Sequence, residues 1–215
     1  MKLCCVPSRA AATTASTIAS ALVLSASPTV NRTPLRGAVA AAYGDGVAYS
    51  PTPGHQCKKI LRDLPISTPD TFLFLDLGSG KGRTLLLAAE LGYRRVVGVE
   101  FDPGLASTAR SNIEAYEATR PARAGVIEIV QADAAGYDFP PDPAVMFLFN
   151  PFGEDTLRAV INNLERSLQA NPRPFYIAYY NPMHQDVLDA CHLIRRIRTH
   201  ARWTAYESVQ PVECR

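Results

Sequence analysis

Phe72-Leu-Phe-Leu-Asp76-Leu-Gly78-Ser-Gly80-Lys-Gly82-Arg83 is a short apolar strand that ends in an acid and runs into three alternating glycines. Thr84-Leu-Leu-Leu-Ala-Ala-Glu90 follows, with the composition of a helix. Glycines at this spacing let the backbone turn sharply and bring its N–H groups against a ligand, beside the positive end of a helix. The acid narrows the choice of ligand. A pyrophosphate at such a turn would be repelled by Asp76, and dinucleotide sites are spaced G-x-G-x-x-G rather than G-x-G-x-G. A ligand carrying an ammonium and a sulfonium is instead attracted by a carboxylate.

The next segments supply further acids in order. Arg94-Arg-Val-Val-Gly-Val-Glu100-Phe-Asp102-Pro103 has the pattern of a buried strand in Val96, Val97 and Val99, with Glu100 at its end. In a doubly wound sheet an acid about 20 residues beyond the glycine turn grips ribose hydroxyls. A third strand, Gly125-Val-Ile-Glu-Ile-Val-Gln-Ala-Asp133-Ala134, ends in an acid suited to accept from an adenine amino group. Three carboxylates on successive strand ends describe a cationic nucleoside, S-adenosylmethionine (SAM). The expected cofactor set is Asp76, Gly78, Ser79, Gly80, Gly82, Glu100, Asp133, Ala134 and Asn150, with no metal.

On Asp76-Leu-Gly-Ser-Gly-Lys-Gly82, Val-Val-Gly-Val-Glu100, Gln131-Ala-Asp133-Ala134 and Phe147-Leu-Phe-Asn150-Pro151-Phe152-Gly153, the chain resembles class I SAM-dependent methyltransferases. The stretch from about Tyr49 to Asn181 is similar to bacterial methyltransferase-domain proteins of unassigned substrate. The resemblance implies an α/β fold: a doubly wound, mostly parallel seven-stranded Rossmann-like sheet with helices on both faces. It also implies methyl transfer from SAM to a small-molecule or protein acceptor.

Asn150-Pro151-Phe152-Gly153 resembles the Asn-Pro-Pro-Tyr/Phe loop of amino-group methyltransferases, which implies a nitrogen acceptor. It departs from that loop in having Phe152 at the second proline and Gly153 at the aromatic position. Asn150, Pro151 and Phe152 are thus the catalytic candidates, with His184 as general base because imidazole exchanges protons near neutral pH. Two other readings stay open. One is a SAM-binding sensor or scaffold without catalysis. The other is a protein-lysine methyltransferase similar to the silencing-disruptor histone enzymes, which the first glycine turn resembles and the Asn150 loop does not.

A second Asn-Pro pair stands in Tyr179-Tyr180-Asn181-Pro182-Met183-His184, after the fifth strand. Phe152, Tyr179, Tyr180 and His184 are expected to line one acceptor pocket, with Asn181 beside it and Tyr49 folding over the cofactor.

The remaining sequence sets the frame. With 215 residues, 47% apolar, the chain can bury one domain's core. A net charge of +2 gives no compositional case for a nucleic-acid partner, and the basic run Arg195, Arg196, Arg198, His200 and Arg202 reads as a solvated strand face. No uninterrupted apolar stretch of about 20 residues suggests a membrane span. The five cysteines form no C-x-x-C pair, which argues against a zinc site or disulfide framework.

Residues 1–43 are rich in Ala, Ser and Thr and lack acids; they are read as a flexible tail, or alternatively a targeting peptide, ahead of a domain over 44–215. A cytoplasmic location is expected, since SAM is made inside the cell. Pattern and punctuation predict helices over 54–64, 102–118 and 155–170, and strands over 144–149 and 174–180. The last two strands are expected over 193–198 and 207–212, as an antiparallel hairpin.

Overall fold

The computed structural model describes residues 50–209. The predicted tail, its boundary at 43/44, Tyr49, residues 210–212 of the expected last strand, Cys4, Cys5 and Cys214 lie outside the described residues. The elements run α1 (Gly54–Asp63), β1 (Leu73–Leu77), α2 (Arg83–Glu90), β2 (Arg95–Glu100), α3 (Pro103–Ala118), β3 (Ile127–Gln131) and β4 (Ala144–Phe149). They continue α4 (Glu154–Ala170), β5 (Phe175–Tyr180), α5 (Gln185–Asp189), β6 (Ile194–His200) and β7 (Trp203–Ser208).

Strand ends and helix starts follow local chemistry. Asp102 caps α3 by accepting from the Leu105 N–H at 2.8 Å, and Pro103 occupies the first turn where no N–H is needed. β4 is apolar at every position and is covered on both faces, as a central parallel strand must be. In α4 the stripe Leu157, Val160, Ile161, Leu164 and Leu168 is the buried face.

The strands form one sheet in the order β3-β2-β1-β4-β5-β7-β6, parallel except for β7, which is antiparallel to both neighbours. This is the doubly wound seven-stranded fold expected from the sequence. One face packs Leu75, Val97, Met146 and Ile177 against α4 and α5. The other packs Phe74, Val96, Phe147 and Ala178 against α1, α2 and α3. Chain order reverses between β1 and β4, and the crevice at such a reversal opens outside the C-terminal strand ends.

The hairpin is antiparallel, but its second strand begins at Trp203, four residues before the expected start. Trp203-Thr-Ala-Tyr206 is fully buried between β5 and β6, so tertiary cover rather than local alternation sets this strand. A bulge lies between Arg196 and Arg198 in β6.

Arg173 pins the opposite end of the sheet. It is 5% exposed; its Nε donates to the Asp142 carbonyl at 3.0 Å, and Nη1 donates to Ser167 O at 3.1 Å and Asn171 O at 2.8 Å. Burial holds its guanidinium below the usual arginine range, opposed by the Asp142 charge. Replacement by Ala strands these carbonyls, and a destabilisation of about 2–4 kcal/mol is expected. Urea unfolding of Arg173→Ala checks this; an unchanged midpoint would contradict it.

Candidate functional site

The turn after β1 carries Gly78, Gly80 and Gly82 at φ of 77, 55 and 80°. Backbone bonds fold it against β2: the N–H groups of Gly78 and Ser79 both donate to the Val99 carbonyl, at 2.9 and 3.1 Å. Gly78 is required for a second reason. A Cβ there would stand 2.5 Å from the Pro151 Cβ, so the turn and the loop after β4 touch at this point.

Asp76 is 4% exposed, and the Thr84 hydroxyl on the first turn of α2 donates to its Oδ2. Burial pushes its pKa up to about 7; the Thr84 bond opposes the rise and the Glu100 charge adds to it. A carboxyl in this condition is short of a cation. Glu100 is also buried, and each of its oxygens takes one backbone N–H: Oε2 from Gly80 at 2.7 Å and Oε1 from Asp102 at 2.8 Å. It laces the glycine turn to the end of β2 and keeps further lone pairs for a hydroxyl-bearing ligand. Asp133 is exposed two residues past β3, where it caps the short turn Ala134–Gly136 by accepting from the Ala135 N–H at 2.9 Å. Ala134 packs into the core.

Asp76, Glu100 and Asp133 therefore stand at the C-terminal edge of three adjacent strands, as their spacing suggested. These residues suit a cationic nucleoside: the donor-rich turn faces two buried carboxylates, and no basic side chain is hydrogen-bonded to either of them among the described residues. Ser79 stands differently from its neighbours. Its hydroxyl lies 2.7 Å from where a Cβ on Gly98 would be, and it finds no partner among the described residues.

On the other half of the edge, Asn150 and Asn181 both adopt the left-handed conformation, at φ of 42 and 51°. Asn tolerates this region better than other non-glycine residues, and the corner turns each chain sharply at its proline. Tyr179 joins the two loops. Its hydroxyl donates to Asn150 Oδ1 at 3.3 Å and accepts the His184 N–H at 3.4 Å.

The single pocket expected of Phe152, Tyr179, Tyr180 and His184 is not formed. Successive residues of a strand face opposite sides, so Tyr179 packs with α4 and α5 while Tyr180 packs with Phe149 and Trp203 on the other side. Phe152 is buried in the first of these cores, beside the α4 stripe. His184 is half-buried ahead of α5 and meets Tyr179 through its backbone.

Two features escaped the sequence reading. Thr84 is the partner of Asp76, and its place on the first turn after the glycines is the signal that was available. The other is a row of rings along the C-terminal edge: Phe149 against Tyr180 at 4.8 Å, Tyr180 beside Trp203 in register, and His200 stacked on Trp203 at 4.8 Å.

Residues 74–171 match the family model of a methyltransferase domain. No curated protein matches the chain. Among solved structures, it is similar to an RNA methyltransferase from Salinibacter ruber in complex with S-adenosyl-L-homocysteine, at 23% identity and TM-score 0.50, covering 76% of this chain and 95% of that one. It is also similar to a precorrin-6y C5,15-methyltransferase from Geobacter metallireducens, at 14% identity and TM-score 0.54, covering 77% and 93%. A third is a TehB-like SAM-dependent methyltransferase from Corynebacterium glutamicum, at 15% identity and TM-score 0.51, covering 80% and 93%. The strand order, the glycine turn and the matched region agree: residues 74–171 form a methyltransferase domain, on the seven-stranded fold that these solved methyltransferases share.

Proposed function

We propose that the chain methylates a nitrogen nucleophile presented at the Asn150-Pro151 corner. The observation that carries this is the contact between Gly78 and Pro151, which sets a left-handed Asn-Pro corner directly against the cofactor turn. SAM, when bound, supplies an electrophilic methyl carbon and a neutral thioether leaving group.

The chain's own residues would do the rest. Asp76 balances the cofactor's positive charge, and Glu100 with Asp133 takes the sugar and base ends. Asn150 Oδ1 and the backbone carbonyls of its corner accept N–H bonds from the acceptor. A nitrogen so held keeps its lone pair directed at the site of transfer, which is the main thing a displacement of this kind asks of a protein. Asn150 Oδ1 uses one lone pair for Tyr179 and keeps the other for the acceptor. His184, whose backbone N–H reaches the Tyr179 hydroxyl that is bonded to Asn150, would receive the proton that the alkylated nitrogen releases.

Labelled-methyl transfer to fractionated cell extract, with mass analysis of what becomes labelled, tests this reading. Asn150→Ala is expected to lower transfer by about 100-fold, the scale of losing positioning at a reacting centre, a larger loss than that in S-adenosylhomocysteine affinity, since Asn150 also belongs to the expected cofactor set. Label on oxygen or carbon alone would overturn the nitrogen assignment. Tight cofactor binding with no transfer to any fraction would favour a sensor or scaffold instead.

A further inference from the structure

Resting on the methyltransferase reading, we propose that the acceptor is single-stranded nucleic acid, held at the tip of the β6–β7 hairpin by Arg198, Arg202 and the stacked His200–Trp203 pair. The hairpin tip is at the active edge of the sheet. Asn181, at the second Asn-Pro corner, donates its N–H to the Arg202 carbonyl at 2.7 Å. In register across the sheet, Phe149 is paired with Tyr180, Tyr180 with Trp203, and Trp203 with His200. Phe149, Tyr180 and Trp203 lie on the face that also holds α1, α2 and α3, where Thr84 of α2 reaches Asp76. The edge is thus graded: carboxylates at β2 and β1, rings at β4, β5 and β7, and cations at the tip.

The two arginines differ from the others on the hairpin. Arg195 is bonded to Glu207 at 2.6 Å, and Arg196 to Asp189, so their charge is neutralised. Arg198 and Arg202 are exposed and make no ion pair with any described residue. Asp63, at the end of α1, is close enough to feel Arg198 and His200, and its carboxylate is already bonded to Lys59 at 2.6 Å.

Charges along an edge strand discourage strand-to-strand pairing, but the first half of β6 already supplies them. Beyond the bulge at Arg196/Arg198, two exposed guanidinium groups outside any ion pair among the described residues flank an exposed imidazole backed by an indole. Phosphates attract guanidinium groups and unpaired bases stack on flat rings, which is how sequence-tolerant single-strand surfaces work. A duplex would hide the ring faces that the His200 platform offers.

The test is fluorescence anisotropy of the full chain with a labelled oligo(U) of about 16 nucleotides in dilute salt, alongside calorimetry with S-adenosylhomocysteine. The double variant Arg198→Ala, Arg202→Ala is expected to bind oligo(U) at least tenfold more weakly. Its salt slope should be smaller by about 1.4, the value for two phosphate contacts on a single strand. Arg110→Ala, which removes an exposed cation of α3, is expected to change binding less than about twofold, as a surface charge remote from the contact does.

Absence of oligo(U) binding by the natural chain overturns the proposal. So does an equal loss in Arg110→Ala, or equal competition by polyglutamate, which would indicate an acidic protein partner. Unchanged cofactor affinity in the double variant shows that the fold is intact. Loss of cofactor binding by the natural chain strikes the methyltransferase reading, and the oligo(U) arm then reports on the hairpin alone.

Discussion

Asp76→Asn weakens SAM binding by roughly 30- to 100-fold, about 2–3 kcal/mol for a buried charge interaction replaced by a neutral one. The same change makes the ligand-free protein more stable above neutral pH. Both effects come from one fact: the carboxyl is buried with a Thr84 hydroxyl bond and no cation, and its pKa stands near 7.

The sign of the pH dependence follows. The unfolded chain ionises this acid near 3.8, the folded chain only at about 7, so the fold is favoured by the protonated form. Stability on this account is fully present below the unfolded value and is lost as pH rises toward 7, a cost on the order of 4 kcal/mol. A bound cation reverses the preference and pulls the carboxyl back to its charged form. SAM affinity of the natural protein should therefore be flat above about pH 7 and fall toward tenfold per pH unit below it. In Asp76→Asn this slope disappears. Calorimetric titration between pH 5.5 and 8.5 and thermal unfolding of both proteins check the two halves. A variant that keeps natural affinity would remove Asp76 from the site.

Gly78→Ala is expected to abolish measurable SAM binding, a loss of about 100-fold or more, and to destabilise the fold by about 2–4 kcal/mol through overpacking and strain. The new Cβ would lie 2.5 Å from the Pro151 Cβ, and Gly78 also sits at φ +77°. Pro151 has a rigid ring anchored on the left-handed Asn150, so relief has to come from moving the glycine turn or the Asn150-Pro151 corner. Gly92 is the comparison: its φ is +93° but nothing lies within 4 Å of its Cβ position. Gly92→Ala should lower stability by only about 1 kcal/mol, the strain alone, and leave affinity intact. Equal behaviour of the two variants in calorimetry would show that contact with Pro151 is immaterial.

The comparison of Asp76 with Phe152 shows where reading residues in order succeeds and where it stops. Strand, acid, glycine turn and helix are contiguous, so the chemistry of the first half-site is encoded within a dozen positions. Glu100 and Asp133 add to it because parallel strands place their ends side by side, once their order is known. Phe152, Tyr179 and Tyr180 were grouped by nearness in sequence, whereas the strand's alternation divides the tyrosines between two cores. Net charge carries no positions. A total of +2 does not record that Arg195 and Arg196 are ion-paired with Glu207 and Asp189 while Arg198 and Arg202 are exposed and outside any ion pair among the described residues.

The sequence by itself determined the layered α/β fold, the cationic character of the cofactor and the edge of the sheet at which it belongs, because each rests on local pattern and on charge sign. Only the tertiary structure decided that Thr84 supports Asp76, that Pro151 closes on Gly78, that Tyr179 ties the two Asn-Pro corners together, and that the hairpin tip is bonded to the second of those corners through Asn181 and Arg202. Those contacts join strands brought together by crossovers and by burial on both faces. Their partners are fixed by packing across the sheet, which no local spacing records.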